Sequence, residues 1–149
     1  MNISATVTIN RPAQDVYDFV MDVPHDAQWR TGVVEASFTS DGPVGVGTTG
    51  FDRIEANGRE MVSEWTISEL EPGRLARWTL DGGPIKGSGG YVCEQAGDQT
   101  AFTLEAFVKP VGSYRLLGPV FGMIGQRQNR ADVLKLKEIL EQPHFTGGK

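Results

Sequence analysis

Residues able to do acid, base or metal chemistry are sparse in this chain. There are 2 His, at positions 25 and 144, and one Cys, Cys93. Neither HExxH nor CxxC spacing occurs, so a metal site would have to be built from scattered carboxylates for which no spacing speaks, and no metal is expected. The candidates for proton transfer are His25, Asp26, Asp52, Glu64 and Tyr91. His25 and Asp26 are adjacent, close to Trp29 and Arg30, but neighbours along a helix do not share a face. His25 is therefore either a surface histidine in a turn or a titrating group near a cavity mouth. Asp52 and Arg53 follow Phe51, with Glu64 and Arg77 on later strands. These either form cross-strand surface ion pairs, or one buried pair serves as an acid or as a clamp for a ketone or carboxylate. Tyr91 and Gln128 are polar residues on otherwise apolar faces. Each either makes a structural hydrogen bond or orients a ligand oxygen, since neither titrates usefully near neutral pH.

Positioning these groups falls to a chain that reads mostly as strand and ends in one long helix. Pro119 to Glu141 has room for about six turns at 3.6 residues per turn. It is preceded by Gly118 and closed by Gln142-Pro143, the expected start and stop signals. Val133, Leu136 and Leu140 recur at spacings of three and four, with Leu134 and Ile139 widening the stripe. Gly122 and Gly125 interrupt its first half. They mark either an irregular first turn or room for a ligand beside Phe121 and Ile124.

Ile3, Ala5, Val7 and Ile9 alternate with polar residues, as in a strand with one buried face. Pro12 to Met21 then predicts a short helix turning Val16, Phe19 and Val20 inward, and Asp22 to Arg30 a second, ending near Trp29. Six further strands follow: Val33 to Phe38, Thr48 to Ile54, Glu60 to Leu70, Leu75 to Leu80, Gly87 to Gln95 and Thr100 to Val108. The separators SDGPVG, EANG, EPGR, DGGP and AGDQ are all turn chemistry. The prediction is an α+β fold: a seven-stranded curved antiparallel sheet around a long C-terminal helix, with two short helices between strands 1 and 2. The inward rows hold more large aromatics than a tight two-layer core accepts easily. The expected cavity lining is Phe19, Trp29, Phe51, Trp65, Trp78, Tyr91, Phe102, Phe121, Ile124 and Gln128. Tyr114, Leu116 and Leu117 form either a lid over it or a dimer contact.

At 149 residues the chain suits one domain, read as residues 1–143 with a structureless tail over 144–149. Formal charge is -5 with no Lys/Arg run, which argues against a nucleic-acid partner. No apolar run is long enough to span a membrane. The opening MNISATVTIN lacks the basic and apolar regions of a signal peptide. A cytoplasmic monomer or homodimer is expected. GPVGVGTTG and GGPIKGSGG lack the strand-to-helix context of a dinucleotide or phosphate loop, so they read as hairpin loops and no cofactor is expected.

Several stretches carry a resemblance: INRPAQDVYDFVMDVPHDAQW at Ile9 to Trp29, DGPVGVGTTG at Asp41 to Gly50, SEWTISELEPGRLARW at Ser63 to Trp78, and the terminal helix. With the element order, they resemble the polyketide cyclase/dehydratase and lipid-transport superfamily (SRPBCC), which shares the helix-grip fold of START domains and the birch-pollen allergen. The resemblance implies a deep cavity between curved sheet and last helix that holds a hydrophobic or aromatic small molecule. In some members that molecule is cyclised, dehydrated or hydrolysed. No motif matches the active-site signature of a particular member, and a fold does not fix function. The expected function is small-molecule binding, with a polyketide-type cyclase, dehydratase or related hydrolase as the alternative and a structural or protein-interaction module without a ligand as a second alternative.

Overall fold

The computed structural model describes residues 2–56, 58–82, 85–110, 116 and 118–143. The alternating segment becomes β1 (Asn2–Ile9), followed by α1 (Ala13–Met21), a 3₁₀ turn (Val23–His25) and α2 (Asp26–Trp29). Then come β2 (Val33–Phe38), β3 (Thr49–Ala56), β4 (Arg59–Glu71), β5 (Leu75–Gly82), β6 (Ile85–Ala96) and β7 (Gln99–Pro110), and finally α3 (Gly118–Leu140). Hairpin turns join β2 through β7 in sequence, and β1 returns beside β7, giving the order β1-β7-β6-β5-β4-β3-β2 with all pairs antiparallel. The helix-grip expectation holds, and strand ends differ from the predicted ones by a few residues, as end fraying allows.

Pro12 has no N–H and no capping side chain, so the exposed donor at the start of α1 is met from across the fold, where Ala13 N donates to Gln95 Oε1 at 2.7 Å. Val16, Phe19 and Val20 turn inward as their spacing predicts, and meet Ile9, Phe102 and Leu104 in one cluster with Val133, Leu136 and Leu140 of α3. Fully burying each such side chain contributes about 1.5–3 kcal/mol. Leu134, by contrast, lies on the solvent side of α3 and does not widen the stripe.

β1 is an edge strand, and α3 covers it. Gln126 accepts from Ser4 N at 3.2 Å and donates to Ser4 O at 2.6 Å, which mimics the bonds of a neighbouring strand. Further along, Lys137 Nζ donates to Thr8 O and Glu141 Oε2 accepts from Asn10 N, both at 2.7 Å. Such bonding blocks an edge that would otherwise pair with another chain. Gly125 lies where helix and strand approach, and a Cβ there would stand 2.7 Å from Ile3 Cδ1, the movable end of that side chain.

Candidate binding site in the cup

The chain from Asp22 to Thr31 folds back over the concave face of the sheet and carries Asp26, Trp29 and Arg30 inward. Facing them are Asp52 from β3, Trp65 from β4, Trp78 from β5 and Tyr91 from β6. All of these but Trp29, with Met21, Val23, Ile67 and Ala76, border a space of about 20 Å³. Alternation alone does not reveal how Asp52 comes to be there. Gly50, Asp52 and Ile54 share the inner face of β3, and a Cβ on Gly50 would fall 2.2 Å from the Trp65 ring and 2.7 Å from Ser37 O. The glycine thus leaves the indole room to lie across β3, where its Nε1 donates to Asp52 Oδ1 at 3.1 Å.

Three carboxyls surround the one guanidinium. Arg30 stands 5.4 Å over the Trp29 ring and 3.8 Å from Asp132 of α3, and the same Asp132 accepts from Thr31 N at 2.9 Å and Thr31 Oγ1 at 2.5 Å. Asp132 is only 5 % exposed and Asp26 only 3 %. Burial pushes the Asp26 carboxyl up to about 7, against the pull of Arg30 and reinforced by Asp52. Burial likewise raises Asp52 and Asp132 above the usual carboxylate range, while Arg30 draws both down. Tyr91 is raised well above the ordinary phenol range by burial and then by Asp26, so it stays protonated. For Arg30, burial disfavours the charge, but Tyr91, Asp26, Asp52 and Asp132 outweigh it and the group stays ionised. Asp26 Oδ1, Trp29 Nε1 and Arg30 Nε make no well-formed hydrogen bond among the described residues, although the Trp29 indole lies near enough to Asp26 to draw its carboxyl down.

The structure sorts the predicted residues into three groups. Trp29, Trp78, Tyr91 and Phe102 form one aromatic cluster, with Trp78 4.7 Å and Trp29 5.9 Å from Tyr91 and Phe102 5.7 Å from it. Of these Trp78 and Tyr91 line the cavity, together with Trp65 and the acidic pair Asp26 and Asp52, while Trp29 and Phe102, expected on its wall, do not. Phe19 is buried but stacks at 4.2 Å on His25, whose Nδ1 meets Phe19 O at 3.0 Å and whose Nε2 is 3.6 Å from Asp22. His25 is thus a histidine of the turn and does not line the cavity. Phe51 and Glu64 do not line it either: they sit on the outer face, in an open groove of about 610 Å³ with Thr39, Arg53 and Val62. Ile124 and Gln128 are exposed on α3, whose tilt onto β1 turns that side to solvent. The Phe121 side chain, Tyr114 and Leu117 lie outside the described residues, and Leu116 is 88 % exposed.

Two members of the cluster are not among the residues that the sequence singles out. Arg30 stands four residues after Asp26, a helical i,i+4 pair that is legible but sits in what reads as a surface turn. Asp132 lies directly before Val133, one turn ahead of Leu136, and a carboxylate inside an apolar stripe is the signal for it. Arg53 and Arg77 do form the surface pairs foreseen as one option, Arg53 with Glu35 and Glu60, Arg77 with Glu69 and Glu105 at 3.1 and 3.0 Å. Asp52 alone follows the buried option. Its partners are Trp65 and Arg30 rather than either strand arginine. Among the described residues no three His, Cys, Asp or Glu side chains converge as metal ligands.

A curled seven-stranded sheet gripping a C-terminal helix, with a polar cluster at the cup floor, defines the class. The family model described as polyketide cyclase/dehydrase and lipid transport matches residues 1–141, and the chain belongs to that family. No curated protein matches it in sequence. Among solved structures, a Thermus thermophilus protein superposes with a TM-score of 0.79 at 17% identity, covering 93% of this chain and 95% of its own. The Zhui aromatase/cyclase of a Streptomyces species gives 0.77 at 16%, covering 95% and 93%. A START superfamily protein from Mycobacterium smegmatis gives 0.76 at 19%, covering 95% and 97%. At these identities the likeness is one of fold. No helix among the described residues is long and apolar enough to cross a membrane.

Proposed function

We propose that the protein binds a small apolar or aromatic molecule in the cup, with the molecule's polar group seated on Asp26, Arg30, Asp52 and Tyr91. The observation that carries this reading is a pair of buried polar atoms without a well-formed hydrogen bond, Asp26 Oδ1 and Arg30 Nε, the latter only 3.8 Å from Asp132, on residues that line a cavity with Trp65, Trp78 and Ile67. Native cores satisfy such atoms, and those left over call for an explanation such as a ligand. The space of about 20 Å³ is far below the roughly 300–1,000 Å³ of ordinary ligand pockets. Entry therefore requires the cup to open, with Met21 and Trp78, both only partly buried, the wall residues best placed to move. The larger outer groove is a poorer candidate, since Glu35 and Glu60 already engage its arginine. Family membership and the aromatase/cyclase neighbour agree with a ligand-binding cup. Native mass spectrometry of protein purified without added ligand tests the reading. It is supported by a retained mass that is lost in Trp78→Glu, and opposed by an empty protein whose Trp65 and Trp78 fluorescence no aromatic ketone, alcohol or amine alters.

A second reading, cyclisation or dehydration of a polyketide-type substrate, has one observation in its favour. A carboxyl pushed up to about 7 can give and take a proton near neutral pH, beside a protonated phenol and a guanidinium able to stabilise an oxyanion. In that case turnover of a polyketone follows a bell-shaped pH profile whose lower limb disappears in Asp26→Asn.

A further inference from the structure

We propose that the polar group accepted by the cup is a cation, the head of an aromatic or alkyl primary amine held between the Asp26 and Asp52 carboxyls and walled by Trp65, Trp78 and Tyr91. The inference rests on the cup being a binding site and names the chemistry of its ligand.

Charge is the first ground. Asp26 and Asp52 line the cavity and Asp132 stands behind it, so three carboxyls face one guanidinium. Asp22 adds a further negative charge toward Asp26 from the start of the 3₁₀ turn. An entering anion would meet this acidic excess, and Arg30 is already held between Asp132 and the Trp29 ring. The second ground is the unmet acceptor. Asp26 is 3 % exposed and lines the cavity, and its Oδ1 receives no well-formed hydrogen bond, the Trp29 indole beside the carboxyl drawing it down only weakly. A ketone or ether brings no donor to that oxygen, whereas an ammonium brings three. Indole and phenol faces then favour a cation near them, most strongly once water is excluded. A bare metal ion is a poor alternative, because no three ligating side chains converge among the described residues.

Three probes with one ring and different heads provide the test: 2-(2-naphthyl)ethylamine, 2-(2-naphthyl)ethanol and 2-naphthylacetate, titrated calorimetrically at pH 8 into wild type, Asp52→Asn and Asp26→Asn. The amine should bind at least about ten-fold tighter than the alcohol, a gap of about 1.4 kcal/mol, and the acid most weakly. The amine's advantage over the alcohol should disappear in either variant, with an unchanged far-ultraviolet circular dichroism spectrum and a cooperative thermal melt showing that each variant is folded. An alcohol or acid that binds wild type as tightly as the amine overturns the cation assignment and leaves the binding cup standing. Amine affinity unchanged in both variants places the amine on the acidic surface and also overturns it. If no probe binds wild type at all, the cup reading fails and the inference with it.

Discussion

Asp26 makes the fold itself sensitive to pH. Its folded carboxyl is raised to about 7 from an unfolded value near 3.8, so the folded state keeps a proton that the unfolded chain has released. Its contribution is therefore most favourable below about pH 4 and is lost as pH rises to about 7. Asp52 and Asp132 are raised by burial too and act in the same direction. Asp26→Asn should raise stability at pH 8 by a few kcal/mol, given about 1.4 kcal/mol for each tenfold change in proton affinity, and the gain should shrink as pH falls toward 4. Thermal melts of both proteins across that range are the check, and equal slopes against pH would contradict it. Cys93 behaves oppositely to a reactive thiol: burial pushes it up to about 12. A disulfide reagent at pH 8 should leave it untouched until denaturant is added. Little of this is legible from sequence. Asp52 is readable as a possible buried acid, but its partners Trp65 and Arg30 come from other elements, and alternation within one strand says nothing about what faces it.

Among the elements, α3 and β3 illustrate what patterns reveal and what they hide. The ends of α3 are marked by Gly118 and Gln142-Pro143, and its buried half by Val133, Leu136 and Leu140, because capping and 3.6-residue periodicity are local properties. The face of its first half is not legible in the same way. Val120, Met123 and Ile124 look like a core stripe but are exposed, and the side that touches the sheet is made of Gly125 and Gln126, which hydrophobicity does not flag. Gln126→Ala should cost about 1 kcal/mol for its lost bonds and speed hydrogen exchange at the Ser4 amide; unchanged exchange there would refute its role in sealing β1. β3 is ambiguous since Asp52 and Arg53 are both charged and no alternation assigns their faces. The inner face follows from Gly50 beneath the Trp65 ring. Gly50→Ala should therefore lower stability by roughly 1–3 kcal/mol, as overpacking does, with a reduced urea midpoint as the readout. A neutral effect would show that the Trp65 indole does not depend on that space.

For the whole molecule, the meander and its closing helix are legible because each turn announces itself in Gly, Pro, Asn and Asp and because strand and helix periods differ. The volume of the cup is not. Aromatic excess in the inward rows suggests room for a ligand, yet Trp65, Trp78, Tyr91 and Arg30 largely fill the space they enclose. Composition counts side chains without showing how they nest. The account thus predicts a closed cup that opens around its ligand, not a standing cavity. The three tryptophans, Trp29, Trp65 and Trp78, all belong to the cup or its aromatic cluster, and their indole N–H resonances report on it directly. The decisive measurement is a ¹⁵N–¹H titration with 2-(2-naphthyl)ethylamine and 2-(2-naphthyl)ethanol. Saturable shifts of the Trp65 and Trp78 indoles with either probe, while the Thr39 and Val62 amides of the outer groove stay in place, are the predicted result. Indole resonances that do not move, or shifts confined to the outer groove, would contradict it.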